Sequence, residues 1–296
     1  MPALQESKIL RVARDLISVV MPVRNEALEI SGAIASVLWQ TDSEWELLIV
    51  DDSSTDGTLQ RAEEFDDDRI RIVPSCGTGI VDALNTGLSL AEGTFVARFD
   101  ADDRMVPCRL EHQRWRFERD SKLGVLSSWS RSRLDGSLVR SPVSHELIGA
   151  FLRHGNCVSH PTVMFHRGRI TSELEYDRSM ESVEDYALWL RLYFDEGVRF
   201  GGSPRPLLHQ KIQRSQATVN RRLEKAREML RERQLGGEPC STDGHSKVFI
   251  PWIDLGSSER VSKRRLLLRH IWSEMRVHAR DPIWRRCGNE SLATSS

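Results

Sequence analysis

Three carboxylates, Asp100, Asp102 and Asp103, stand together at the end of the apolar run Thr94–Phe99. Side chains alternate along an extended chain, so Asp100 and Asp102 project the same way. Two like charges that close repel unless a positive charge lies between them. A hard divalent cation, Mn2+ or Mg2+, answers that need, because it takes one or two carboxylates and shares its other positions with substrate phosphates. Alone, such a cluster also suits a solvated loop or a helix cap, so the elements that carry it must decide.

Those elements alternate between strand and helix. Leu16–Met21 is short, apolar and closed by Pro22, the pattern of a buried strand. Ile30, Ala33, Ile34, Val37 and Leu38 recur at helical spacing on one face. Leu47–Val50 reads as a second strand, followed by the turn-rich Asp51–Gly57; Thr58–Glu64 reads as a short helix and Arg69–Val73 as a third strand. Gly77 and Gly79 loosen the next connection before a helix with Ile80, Leu84, Leu88 and Ala91 inward. Gly93 stops it, and Thr94–Phe99 is the fourth strand. Repetition of this kind builds a mostly parallel sheet flanked by helices, with right-handed crossovers and ligands at the carboxyl ends of strands. Pro22, Asp51-Asp52 and Asp100-Ala101-Asp102 fall at those ends.

Beyond residue 105 the pattern is mixed: helix over Met105–Arg119, strands at Val125–Trp129 and Thr162–His166, helix over Val183–Phe194. Trp39, Trp45, Trp115 and Trp189 read as core. From Asn220 the chain is Arg-rich and helical to Gln234; a linker (Gly236–Ser246) and a second basic helix over Val261–Ala279 follow. The expectation is an α/β domain over 1–220 and a basic, mainly helical extension over 221–296.

Composition narrows the class. At 296 residues, 39% hydrophobic and 29% charged, the chain suits a soluble globular protein. Its net charge of -1 is unevenly spread, since residues 221–296 carry 16 Lys/Arg against 10 Asp/Glu. That asymmetry suits an extension that meets an anionic surface or packs on the acidic body. No run of 18 apolar residues is present, and the N-terminus lacks a signal-peptide layout. The five cysteines form no CxxC pair, which favours reduced cytosolic thiols. Cys240, His245 and Cys287 match no common zinc spacing.

Several motifs stand in one order: Ser18-Val19-Val20-Met21-Pro22-Val23-Arg24-Asn25-Glu26, Leu48–Thr58, Ala83-Leu84-Asn85-Thr86-Gly87-Leu88, Ala97–Asp103 and Glu184-Asp185-Tyr186-Ala187-Leu188-Trp189-Leu190. Together they resemble family 2 glycosyltransferases of the Rossmann-like GT-A fold, over roughly residues 16–220. The resemblance implies transfer of a sugar from a nucleotide-sugar donor, with UDP the first expectation, to an acceptor hydroxyl of a glycan or lipid-linked glycan, with inversion. It implies that Pro22, Val23 and Glu26 border the nucleoside and that Asp52 accepts from the base. Asp100 would sit near the ribose and the metal, and Asp102 would hold the metal. Asp185 would be the general base and Ser159-His160-Pro161-Thr162 would line the acceptor side. Lys211 and Arg214 would contact the diphosphate, in a segment where Gln213 replaces the family's histidine. Glu184 and Asp185 would also complement a helix dipole with no catalytic role, and Arg98 would help hold the acidic loop.

Two other readings fit less of the sequence. A sugar nucleotidyltransferase needs a Gly-rich basic loop after the first strand, and Pro22–Glu26 has no glycine. A non-catalytic nucleotide-sugar binder is compatible with Gln213 but not with four intact acids. No nucleic-acid module is present. The stretch Lys263–Trp272 interleaves basic and apolar residues, as does a helix lying on an anionic membrane, so a cytoplasmic protein with a peripheral membrane contact is the expectation, against a helix packed on the body.

Overall fold

A computed structural model of the chain describes residues 16–211, 224–226 and 228–233. In chain order the elements are β1 (Ile17–Val23), α1 (Ile30–Leu38), β2 (Trp45–Asp51), α2 (Thr58–Glu63), β3 (Ile70–Pro74), α3 (Ile80–Leu90), β4 (Phe95–Arg98) and β5 (Arg104–Met105). Then come α4 (Arg109–Arg119), β6 (Leu123–Ser132), β7 (Leu138–Val139), α5 (His145–Leu152), β8 (Met164–His166), α6 (Glu184–Leu190) and β9 (Arg199–Gln210). The strands form one sheet in the order β3-β2-β1-β4-β8-β6-β9-β5, with β7 on β6. Strands β1 to β4 are parallel, as the alternation predicts. Past β4 the sheet is mixed: β8 runs antiparallel to β4 and β6, while β6 and β9 are parallel.

The strands are apolar on both sides because helices cover both faces. Val20, Leu48 and Val96 point into one core with Leu84 and Leu88 of α3, and with Trp189 of α6. Val19, Met21, Leu47, Ile49 and Ala97 alternate into the other, against Ile34 and Val37 of α1 and Leu110 and Phe117 of α4. Each such aliphatic side chain contributes about 1.5–3 kcal/mol on burial. Gly87 lets α3 lie close on β1, since a Cβ there would stand 2.4 Å from Val20 Cγ1.

Several expectations shift. Pro22 lies inside β1, opposite Val50. It is tolerated because β4 pairs only with Ile17–Val20, so no neighbour on that side seeks its missing N–H. The helix expected from Met105 starts at Arg109, because Arg104 and Met105 pair with His209 and Leu208 of β9. The helix after Val183 widens into a π-helical stretch over Arg191–Asp195. Trp45 and Trp189 are buried and Trp115 is half-buried, but Trp39, at the end of α1, is 73% exposed. Residues 224–226 and 228–232 are helical. The linker, the second basic helix, Gln213, Arg214, Cys240, His245 and Cys287 lie outside the described residues. Among the described residues no helix is long and apolar enough to cross a membrane, and Cys76 and Cys157 are free thiols.

Candidate active site

The site is built where β1, β2 and β4 end side by side. The loops after β1 and β2 are laced together. Ser54 Oγ accepts from the Asn25 N–H at 3.0 Å, Thr58 Oγ1 from the Glu26 N–H at 2.8 Å, and Asn25 Oδ1 from the Thr55 N–H at 2.8 Å. Asn25 and Ser53 take φ of 56° and 57°, a left-handed conformation that Asn adopts readily. The pair therefore moves as one rim. Asp52 is buried with its N–H on the Val23 carbonyl at 2.9 Å. Its carboxylate accepts from the Gly79 N–H at 3.0 and 3.1 Å and meets Arg24 Nη1 at 3.3 Å. Gly79 has φ of 91°, which a side-chain-bearing residue rarely adopts.

After β4 the chain turns tightly, the Asp103 N–H donating to the Asp100 carbonyl at 3.1 Å. One carboxylate oxygen from each of Asp100, Asp102 and Asp103 lies within 4.8 Å of the others. Arg98, buried at the end of β4, forms an ion pair with Asp100. Under it, fully buried Arg109 donates to the Arg98 carbonyl at 2.8 Å and to Gln113 Oε1 at 3.1 Å, and Gln113 Nε2 donates to the Thr162 carbonyl at 2.9 Å. Burial pulls the Arg109 guanidinium down to about 9, still protonated at neutral pH.

Asp103 is 1% exposed; its Oδ1 accepts from the Lys211 N–H at 2.8 Å, and its Oδ2 has no hydrogen-bond partner. Burial, reinforced by the Asp100 charge, pushes Asp103 up to about 8. Burial and Asp100 likewise raise Asp102, and burial and Asp102 raise Glu26. Asp100, Asp102 and Asp103, the last with an orphaned buried oxygen, form an oxygen-only donor set suited to a hard divalent cation.

Across the site, α6 begins with Glu184 and Asp185, both buried. Asp185 Oδ2 accepts from Asn156 Nδ2 at 2.8 Å, and Oδ1 accepts from the Tyr186 N–H at 2.8 Å. Buried Tyr176 is influenced by both this carboxylate and the Asp100 charge, and its hydroxyl meets His160 Nε2 at 2.7 Å. Burial holds the Tyr176 phenol above its usual range; Arg98 opposes that shift, and Asp185, Glu184 and Asp100 reinforce it. Asp185 and Asp100 thus act on one buried hydroxyl. Asn85 of α3 fixes that residue, its side chain donating to the Tyr176 carbonyl and accepting from the Tyr176 N–H, both at 2.8 Å.

The sequence profile of glycosyl transferase family 2 matches residues 18–171, which span the rim, the acidic loop and Asn85. The chain belongs to glycosyl transferase family 2. It is 30% identical over 206 residues to the O-antigen biosynthesis glycosyltransferase WbnJ of Escherichia coli, covering 67% of this chain and 80% of that one. It is 42% identical over 99 residues to the Escherichia coli enzyme WfgD, a UDP-Glc:alpha-D-GlcNAc-diphosphoundecaprenol beta-1,3-glucosyltransferase. That second match spans only 33% of this chain and 39% of WfgD. The fold is that of glucosyl-3-phosphoglycerate synthase from Mycobacterium tuberculosis, solved with Mn2+, UDP and phosphoglyceric acid (TM-score 0.56, 20% identity, 75% of this chain and 79% of that one). The protein is therefore an enzyme of the glycosyltransferase class with a GT-A fold.

Of the residues the glycosyltransferase resemblance singled out, Pro22, Val23, Glu26, Asp52, Asp100 and Asp102 all lie at the strand ends described above. Glu26 faces the acidic loop, since Asp102 and Asp100 both act on it. Lys211 follows β9 directly, with Nζ 3.3 Å from Glu29 Oε1. His160 is buried against Tyr176 and Trp189, in keeping with a core role. Sequence reasoning missed Tyr176, Asn156, Glu29 and Arg133. All four act through contacts between segments far apart in the chain, which no local pattern announces.

Proposed function

We propose that the protein is an inverting, metal-dependent glycosyltransferase that moves a sugar from a UDP-sugar to a hydroxyl of a lipid-linked glycan. The observation that carries this reading is the cluster of Asp100, Asp102 and Asp103 carboxylates just past the carboxyl end of β4, with Asp100 and Asp185 both acting on buried Tyr176. The UDP and lipid-diphosphate specificity of WfgD and the UDP complex of the Mycobacterium synthase support the choice of donor and acceptor.

In this reading Pro22, Val23 and Asp52 receive the nucleoside, with Asp52 held in place by the Gly79 N–H. Asp100, Asp102 and Asp103 would hold Mn2+ or Mg2+, which would neutralise charge on the departing nucleoside diphosphate. Asp100 is aimed by Arg98. Lys211 and Arg214 add positive charge toward the diphosphate. Asp185, oriented by Asn156 and the Tyr186 N–H, takes the proton of the acceptor hydroxyl as that oxygen attacks the anomeric carbon. The new glycosidic bond forms on the face opposite the breaking carbon–oxygen bond, and the nucleoside diphosphate leaves with the electron pair.

The test is thermal stability of the protein with Mn2+ and each of UDP, GDP, dTDP and CDP, beside an Asp102→Asn variant. A ligand that binds only the folded state raises the melting temperature with concentration. The expected result is a Mn2+-dependent shift with UDP that Asp102→Asn abolishes; no shift with any nucleotide overturns the reading.

A further inference from the structure

Glu29, one residue before α1, gathers three cations from distant parts of the chain. Its Oε2 accepts from Arg104 Nη2 at 2.8 Å and Arg133 Nη1 at 2.9 Å, while Oε1 faces Lys211 Nζ at 3.3 Å. Each of those residues also grips the acidic loop. Arg104 Nη1 donates to the Asp103 carbonyl at 2.7 Å, Arg133 Nη1 donates to the Asp102 carbonyl, and the Lys211 N–H donates to Asp103 Oδ1 at 2.8 Å. The arrangement is accommodated on the helix side as well. Gly32, one turn along α1, leaves room for the Arg104 guanidinium, which a Cβ would approach to 2.4 Å.

Two guanidiniums and an ammonium converge only around an anion. Glu29 reaches Asp102 and Asp103 through these three partners. Metal sites depend on such outer partners, and losing one typically weakens the ion by about 10- to 100-fold.

We propose that Glu29 is a positioning residue for the cation site, holding Arg104 and Arg133 on the Asp103 and Asp102 carbonyls and Lys211 beside the Asp103 carboxylate so that these carboxylates converge with Asp100. The inference rests on the metal reading given above, and the experiment separates the two. Mn2+ alone is titrated into the full chain and the free ion is followed by electron paramagnetic resonance, with metal-free melting curves for each variant. The wild type is expected to bind Mn2+ and Asp102→Asn to lose it. Glu29→Gln is expected to bind about 10- to 100-fold more weakly and with an altered bound-ion spectrum, with Glu29→Asp, which keeps the charge, in between. Binding by a folded Glu29→Gln within about threefold of wild type, with an unchanged spectrum, overturns the inference and leaves the metal reading standing. Should Glu29→Gln fail to fold, Arg133→Lys serves, since an ammonium lacks the guanidinium fork; the same weakening is expected, and unchanged binding again overturns the inference. A wild type that binds no Mn2+ overturns the metal reading itself.

Discussion

Replacing Asp185 by Asn tests the base, and the hydrogen-bond pattern around it sets the size of the effect. Both carboxylate oxygens already accept, one from Asn156 Nδ2 and one from the Tyr186 N–H, each at 2.8 Å. An amide offers one oxygen, so one of these donors must face the new NH2 group. Asn156 cannot turn over to help, because its own Oδ1 accepts from the Val158 N–H at 3.1 Å. Stranding one buried donor costs about 1–3 kcal/mol, which in a domain of this size lowers the melting temperature by roughly 2–12 °C. Turnover falls further, by about 100- to 10,000-fold, the usual span for a lost positioned base. The assay is nucleoside diphosphate release from the donor that the thermal panel selects, beside melting curves. Adding Asn156→Asp returns an acceptor opposite the new amide, so the double variant recovers stability but not turnover. Turnover of Asp185→Asn within about threefold of wild type refutes the assignment. Turnover restored in the double variant would show that charge near α6, rather than a carboxylate at position 185, is what matters.

Three further outcomes are expected. Asp103 holds its proton up to about 8 when folded against an ordinary value of 3.8, so the folded state binds more protons than the unfolded one between these values. The contribution of this group to metal-free stability therefore falls as pH rises through that window. Melts in chelator from pH 5 to 8.5 should show the decline; Asp103→Asn, which keeps an acceptor for the Lys211 N–H, should flatten it, and an unchanged slope contradicts the assignment. Gly87→Ala drives a methyl into Val20 and should cost about 1–3 kcal/mol in urea unfolding. Asn85→Ala strands the N–H and carbonyl of Tyr176, and turnover should drop more than nucleotide affinity; an equal loss of both would place Asn85 on the donor side.

The parallel half of the fold was legible because its signals are local. Ile30, Ala33, Ile34 and Val37 repeat on one helix face, and Leu47–Val50 is a short apolar run; each becomes the element that its spacing implies. The acidic loop was legible for the same reason. Strand β9 was not, since Gly201, Gly202, Pro204 and Pro206 break any strand signal in Arg199–Gln210. They are tolerated because register shifts near Trp129 and Pro206 absorb the prolines and a Gly202 Cβ would strike the Pro142 carbonyl at 2.6 Å. Trp39 read as core because it falls beside a helix with a buried face; the end of α1 leaves it outside. Tyr176 and Glu29 carried no signal, since a tyrosine in a loop and a glutamate before a helix are ordinary until the fold brings their partners to them.

The bond between the Lys211 N–H and Asp103 spans 108 residues, and that separation orders events during synthesis. Strands β1 to β4 pair with one another within residues 17–98, so this half can assemble while the remainder of the chain is still being made. The carboxylates of the acidic loop exist by then, but their tether does not, because β9 and Lys211 are among the last described residues to emerge. A nascent chain that has yet to produce β9 has its two interlocked rim loops but an acidic loop without the Lys211 tether. In the proposed reading, translation itself thus delays the moment at which the growing polypeptide can engage a charged donor until the sheet can close behind it.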